Sequence, residues 1–298
     1  MTSGSRDLLR LHRVEYPIPV HYLCYASWGA CYAVGGLRQL LTAPVLLAVA
    51  ANLVLPAAMS VLNAAVDVRG DALNRGKADL AEATLRVGVR SATIVTAVEM
   101  GLAQMLAIVA SLVARDATTA VVVAVIIVLH VLYNAEPVRL KRRGFANPLT
   151  LGVSLGLLPC LATFTVVRPD IAPATWLIFA GLSTSITGRA LWWMVPDREA
   201  DAAAGTVTVA VRHGAARAVT VSCFIAATVP VLLGWGLWWR YGPAVALPGI
   251  VVSGAFLAGQ LSLLRRDRPS YARIRKATMA PMTIATVFFT VLPLVALS

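Results

Sequence analysis

The sequence predicts an all-α integral membrane protein with nine transmembrane helices, arranged as two four-helix pseudo-repeats plus a terminal helix. Three observations carry that expectation. Of 298 residues, 58% are hydrophobic and only 13% are charged, and the mean hydropathy is +0.76, so the solvent of this chain is largely lipid. Nine apolar windows, each long enough to cross a hydrocarbon core of about 30 Å as a helix, fall at 18–37, 43–65, 91–114, 117–134, 147–167, 173–195, 217–239, 243–264 and 277–297. The N-terminus and the even-numbered connections hold 21 of the 26 Lys and Arg, whereas each odd-numbered connection holds one: Arg38, Arg115, Arg168 and Arg240. That asymmetry puts the N-terminus and the even connections in the cytoplasm, the cell inner membrane being the expected location. It also accounts for the net charge of +12 without any nucleic-acid partner.

Residues 1–298 read as a single transmembrane domain, and its elements can be taken in order. The N-terminal MTSGSRDLLRLHRVEYP has charge but no apolar core before a cleavage site, so the first span is expected to remain in the mature protein. Cys24, Cys31, Cys160 and Cys223 fall within spans without C-x-x-C spacing and read as small buried hydrophobes. The second span runs out into NAAVDVRGDALNRGKAD, Asn63 to Asp79. The third contains Glu99, an acid that is costly in hydrocarbon unless it is paired, faces a cavity or lies near the interface. His130 in the fourth has no ligand-like neighbour in sequence and is expected to be packed or bonded to its own helix.

The fifth span contains GVSLG, Gly152 to Gly156, a small-xxx-small helix contact. The sixth carries Arg189, placed either to line a cavity or to snorkel. Its Trp192 and Trp193, with Trp235, Trp238 and Trp239 of the seventh, read as interfacial anchors. The eighth is followed by the basic LRRDR, Leu264 to Arg268, and the ninth closes the chain.

A second acidic stretch, PDREADAAAGTVTVAVRHG, begins at Pro196. Asp67 and Asp71 are matched by Asp197 and Asp201 at an offset of 130 residues, and LRVG (Leu85 to Gly88) is echoed by VRHG (Val211 to Gly214) at an offset of 126. RLKRRG (Arg139 to Gly144) and LRRDR stand in a similar relation. This is an internal repeat. Four spans separate equivalent points, so both acidic stretches reach the same side of the membrane.

Within each stretch the spacing is helical. Asn63, Asp67 and Asp71 step by four residues, as do Asp197 and Asp201, which stacks them on one helix face about 5–6 Å apart. Hard oxygen ligands suit Mg²⁺, which keeps several waters and is completed by substrate phosphates. With Arg69, Lys77, Arg139, Lys141, Arg142 and Arg143 close in sequence, the two surfaces form a candidate diphosphate clamp. Membrane topology alone also places cations here.

These residues resemble the UbiA superfamily of intramembrane prenyltransferases. Its first motif, N-D-x-x-D-x-x-x-D, is similar to Asn63, Ala64, Asp67 and Asp71; its second, D-x-x-x-D followed by glycine and a TLAVRLG-like tail, is similar to DREADAAAGTVTVAVRHG; and YNAEPVRLKRRG resembles its tyrosine-proline-lysine loop. The resemblance implies Mg²⁺-dependent use of an isoprenyl diphosphate in a cavity open to lipid. Asn63, Asp67, Asp71, Asp197 and Asp201 would hold the metal, and the four aspartates and Tyr133 would be catalytic. Lys141, Arg139, Arg142, Lys77 and Arg69 would bind substrate, with Arg13 in a place that is often basic, and Tyr133 and Asn134 would line the pocket near the reacting carbon. Ala64 where an Asp is usual, Met194 where an additional Asp often stands, and Ala78, Asp79 and Leu80 in place of R-P-L are departures expected to alter the pocket edge.

The leading expectation is transfer of an isoprenyl group to an aromatic or other lipophilic acceptor. A terpene cyclase that converts the diphosphate alone, and a non-enzymatic lipid carrier, are the alternatives.

Overall fold

The computed structural model describes residues 3–15, 17–74, 76–264 and 271–297. Arg265, Arg266 and Arg268 of the LRRDR stretch lie outside them. The chain forms helices α1 (Ser3–Leu11), α2 (Ile18–Ala33), α3 (Ala43–Asp71), α4 (Ala78–Val87), α5 (Val89–Ala114) and α6 (Thr118–Asn134). It continues with α7 (Ala146–Thr165), α8 (Pro173–Ala203), α9 (Val209–His213), α10 (Ala215–Tyr241), α11 (Pro243–Leu264) and α12 (Tyr271–Val295). Among the described residues six helices are long and apolar enough to cross a bilayer: α3, α5, α7, α10, α11 and α12. Helices α2, α6 and α8 occupy the other three positions where spans were expected. This is an integral membrane architecture, since a helix satisfies its own backbone in lipid.

Two boundaries differ from expectation in a way that matters. The apolar windows stop near residues 65 and 195, but α3 runs on to Asp71 and α8 to Ala203. Hydropathy ends there while the helix does not, so the acidic ladders stand on rigid helical turns rather than on loops.

The sequence repeat has structural counterparts. The acidic helix α3 packs most extensively on α5, and its counterpart α8 on α10. Between the members of each pair lies a short helix that ends on a glycine: Gly88 (φ +86°) caps α5 and Gly214 (φ +85°) caps α10. Only glycine enters that left-handed region without strain, which explains the echoed LRVG and VRHG.

The GVSLG contact is also present. A Cβ on Gly152 would lie 1.9 Å from Thr187 Oγ1, and one on Gly156 would lie 2.8 Å from Ser183 Cα, so α7 and α8 touch backbone to backbone. Ser183 Oγ donates to the Gly152 carbonyl at 2.8 Å, within a segment where α7 widens into a π turn at Val153–Leu157. The aromatic core includes Trp28, Tyr32, Phe164 and Phe179, with Phe179 edge-on to Tyr32 (6.1 Å) and to Phe164 (5.7 Å). It is built on the C-terminal half of α2, which leaves Ile18, His21 and Tyr22 at the start of that helix to face a cavity. All four cysteines are buried and free.

Candidate active site

The helical ladders of α3 and α8 face each other across a cavity of about 1060 Å³. Asn63, Asp67, Asp71, Asp197 and Asp201 all line it, as do Lys77, Arg139, Lys141, Arg142, Arg69, Arg13 and Tyr133. Residues up to 188 positions apart in sequence thus form one surface, because two helix ends converge on it.

The charges are organised in two sets. Lys77 Nζ lies 2.8 Å from Asp197 Oδ2 and 3.7 Å from Asp71 Oδ1, bridging the two acidic helices, and Asn74 Nδ2 donates to Asp197 Oδ1 at 2.9 Å. Burial works against the Lys77 ammonium, but the Asp197 and Asp71 carboxylates outweigh it and its pKa ends above the usual lysine value. In the second set Arg139 donates to Asp67 Oδ1 at 2.8 Å, and Lys141 donates to Asp67 Oδ2. Lys141 also reaches Asn63 Oδ1 at 3.1 Å and Asn134 Oδ1 at 3.4 Å. Burial is the largest influence on Lys141 and draws its pKa below the usual lysine value, although Asp67 pulls the other way. Glu136 takes hydrogen bonds from Arg139 (2.9 Å) and Arg142 (3.2 Å), fixing the basic loop.

Of the four ladder aspartates, Asp201 is the one without a cation within 4 Å among the described residues. Burial, then the neighbouring Asp197 carboxylate, pushes its pKa up to about 6. The loop that carries Lys141 and the segment that follows α8 are tied by a parallel two-residue ladder, Arg143 to Val207 and Gly144 to Thr208.

These donors can hold a divalent cation of the Mg²⁺ type. They are hard oxygens at one cavity end, where carboxylates crowd and cations already balance them. Among the described residues no three His, Cys, Asp or Glu side chains enclose a metal unaided. A metal completed by phosphate oxygens does not need them to.

Several residues sit differently from expectation. Asn134 is fully buried and stands behind Lys141 rather than on the cavity wall, with Nδ2 donating to the His130 carbonyl at 3.0 Å. Its neighbour Tyr133 does reach the wall, and its hydroxyl donates to Asn147 Oδ1 at 3.0 Å. Trp192 is a core residue with 0% exposure, whereas Trp193 lines the cavity; Trp235, Trp238 and Trp239 are exposed, as anchors should be. His130 is packed in the core, and neither ring nitrogen has a hydrogen-bond partner among the described residues.

Glu99 is paired outside the cavity. His12 Nε2 lies 2.6 Å from Glu99 Oε1 while His12 Nδ1 lies 2.7 Å from the Leu8 carbonyl. Two acceptors require two donors, so this histidine is an imidazolium, and the bond to Glu99 holds its pKa above the usual value. With the bidentate Arg86–Asp7 pair, both bonds at 2.8 Å, it pins α1 beside α4 and α5 and sets Arg10 and Arg13 on the cavity wall.

Of the departures, Met194, Asp79 and Leu80 line the cavity, but Ala64 does not. It is 1% exposed among Leu11, Val61, Ala65, Ala83 and Ala92, turned away from Asn63 by the rotation of one helical residue. Ala64 is therefore a packing residue rather than part of the pocket edge. Ala64→Asp is expected to lower stability by about 2–5 kcal/mol, the cost of burying an unpaired carboxylate, with the unfolding midpoint in detergent as the measure. A product change at unaltered stability would contradict this.

Asn74, in the loop after α3, and Asn147, in the first turn of α7 and donating to the Lys141 carbonyl at 2.9 Å, are not legible in the sequence because a single asparagine carries no pattern. Arg189 and His21 form a further polar pair on the cavity, with Thr283 behind them: Arg189 donates to His21 Nδ1 at 3.2 Å, and His21 Nε2 donates to Thr283 Oγ1 at 2.9 Å.

Comparison with known proteins places this geometry. The model of the UbiA prenyltransferase family matches residues 22–290. The fold is similar to that of a UbiA homologue from Archaeoglobus fulgidus bound to DMAPP and Mg²⁺, with TM-score 0.71, 18% identity and coverage of 98% of this chain and 99% of that one. It is equally similar to the same homologue bound to GPP and Mg²⁺, with TM-score 0.71, 17% identity and the same coverage. A digeranylgeranylglyceryl phosphate synthase matches with TM-score 0.67 and 16% identity, over 98% of this chain and 99% of that one. At these identities the likeness is one of fold. No curated sequence matches this chain.

Proposed function

Because the chain belongs to the UbiA prenyltransferase family, we propose that it is a Mg²⁺-dependent intramembrane prenyltransferase that moves an isoprenyl group from its diphosphate to a lipophilic acceptor. The observation that carries this reading is the pair of acidic helix ends facing each other across one cavity, with cations interleaved. Homologues of the same fold bound to DMAPP or GPP with Mg²⁺ support the donor class. The Lys and Arg asymmetry supports an active site on the cytoplasmic side.

In this reading Asp67, Asp71, Asp197 and Asp201, with Asn63, hold Mg²⁺, and the diphosphate lies against Lys141, Arg139 and Lys77, with Arg142, Arg69 and Arg13 around the rim. Bound Mg²⁺ supplies charge neutralisation for the departing diphosphate. Lys141 and Arg139 hold the diphosphate oxygens as the C–O bond breaks and the diphosphate leaves with the electron pair. Tyr22, Tyr25, Tyr133 and Trp193 wall the cavity, keep water from the allylic carbon and offer aromatic faces to its positive charge. The acceptor then supplies the electron pair of the new bond and loses a proton to solvent or to a carboxylate at the rim.

The test is purified protein in detergent with geranyl diphosphate, with and without Mg²⁺, and with a panel of phenols and naphthols with and without carboxylate substituents. Mg²⁺-dependent diphosphate release together with a prenylated acceptor is the expected result. Hydrocarbon formed without acceptor would replace transfer by cyclisation, and Mg²⁺-independent binding with no release would replace it by carriage.

A further inference from the structure

Arg13 reaches the cavity through a strained turn. It follows α1 with a backbone φ of +52°, in the left-handed region that is costly for a side chain of its kind. Such a conformation persists only where the surrounding structure over-determines it. The guanidinium lines the cavity, near enough for its charge to act on Asp71 and Lys77, yet among the described residues it has no carboxylate within 4 Å.

What fixes the turn lies outside the cavity. His12, the residue before Arg13, is bonded at both ring nitrogens: Nδ1 to the Leu8 carbonyl of its own helix at 2.7 Å, and Nε2 to Glu99 Oε1 at 2.6 Å. Leu11, one residue earlier, is fully buried among Val61, Ala64, Ala65, Ala83 and Ala92. Glu99 stands ten residues after the start of α5 at Val89, about 15 Å along the helix, beside the exposed Val98 and Leu102. Its second oxygen, Oε2, is buried and has no partner among the described residues. A carboxylate so placed is costly, and an apolar pair of similar size would hold α1 against α5 at least as well. Stability is therefore a poor reason for the pair, and direction is a better one: an imidazolium bonded on both sides fixes where the next residue points.

We propose that Glu99, acting through His12, is a positioning residue for the donor, holding the strained turn that presents Arg13 to the diphosphate although it touches no substrate itself. The inference rests on the transfer reading, in which the diphosphate meets Arg13, and deepens it. It also makes donor affinity depend on one proton. A neutral imidazole has a single N–H and can keep only one of the two bonds. The bond to Glu99 holds the His12 pKa above the usual 6.5, so the latch is complete at neutral pH and is lost as pH rises through that higher value. The other charged groups near His12 do not take over. Arg86 of α4 is engaged with Asp7 and Glu82, α3 meets this end of α1 through the apolar Val61, Ala64 and Ala65, and Arg6, Arg10 and Arg13 can only donate.

The experiment measures binding of geranyl diphosphate with Mg²⁺ to full-length protein in detergent, for wild type, Arg13→Gln, Glu99→Gln and the double variant. Arg13→Gln should weaken binding about tenfold, the loss of one charge-assisted hydrogen bond, and Glu99→Gln about three- to tenfold. The double variant should bind no more weakly than Arg13→Gln, because Glu99 acts only through Arg13. Wild type should lose affinity between about pH 7 and about pH 9 by a larger factor than Arg13→Gln does. Wild-type affinity in either single variant, losses that multiply in the double variant, or an equal pH effect in wild type and Arg13→Gln would overturn the proposal. The pH comparison decides even if Glu99→Gln does not fold.

Amide hydrogen exchange without donor keeps the two readings separate. The Arg13 and Val14 amides donate to the Arg10 and Leu9 carbonyls at 3.0 and 3.2 Å, and in Glu99→Gln they should exchange about tenfold faster; unchanged exchange would end the proposal. Wild-type protein that binds no geranyl diphosphate would overturn the transfer reading, while exchange would still report whether Glu99 holds the turn.

Discussion

Asp201→Asn is expected to reduce Mg²⁺-dependent diphosphate release on the order of 10³-fold while leaving the unfolding midpoint in detergent equal to wild type or slightly higher. Loss of activity follows from removing one hard anionic ligand from the α8 ladder. Unchanged stability follows from what surrounds it. Asp201 has no cation within 4 Å among the described residues, and burial with the Asp197 charge lifts its pKa to about 6. For a carboxyl raised from 3.8 in the unfolded chain, the folded state holds the proton more tightly. Its contribution to stability is therefore greatest below pH 4, is lost as pH rises through about 6, and at pH 7 the ionised group is a burden that Asn relieves. Asp67→Asn should abolish activity too, but it removes the anionic partner of Arg139 and Lys141 and will cost stability as well. Asp201→Asn with near-wild-type turnover would refute the metal assignment.

How much of this was legible beforehand depends on whether a feature is local in sequence. Helix positions are local: an apolar window predicts a helix, and each of the nine windows overlaps one among the described residues, six of them long and apolar enough to cross a bilayer. The ladders are local too, because steps of four return to one helix face. What a neighbouring residue does is less legible, since each step along a helix turns the side chain by about 100°. Ala64 adjoins Asn63 yet faces α1, α4 and α5, and Trp192 adjoins Trp193 yet lies in the core. Partnerships across the fold are not legible at all. His12 and Glu99 are 87 residues apart and His21 and Thr283 are 262 apart, and no periodicity links them. The lone Arg189 could be seen as unusual in its span; its hydrogen bond to His21, 168 residues away, could not.

Lys141→Met carries the other large effect, and it separates the diphosphate site from the metal site. The ammonium has three oxygen partners, Asp67, Asn63 and Asn134, of which two are neutral amides. Amide oxygens orient an ammonium but do not neutralise it, so once Asp67 is engaged by a dication the lysine charge is left for the diphosphate. Burial already draws its pKa down, which means that a bound anion is worth more to this cation than to an exposed one. Substitution should weaken geranyl diphosphate binding in the presence of Mg²⁺ by about 10–100-fold, the range for one charge-assisted hydrogen bond, and lower kcat further, by about 10²-fold, if the bond strengthens as charge develops. Stability should fall by about 1–3 kcal/mol, because Asp67 keeps Arg139 at 2.8 Å and is partly exposed. Lys141→Arg is not expected to rescue, since a planar fork cannot meet three convergent oxygens in the space of one ammonium. Donor binding and kcat both at wild-type level in Lys141→Met would remove Lys141 from the site, and a loss of Mg²⁺ affinity without loss of donor affinity would reassign it to the support of Asp67.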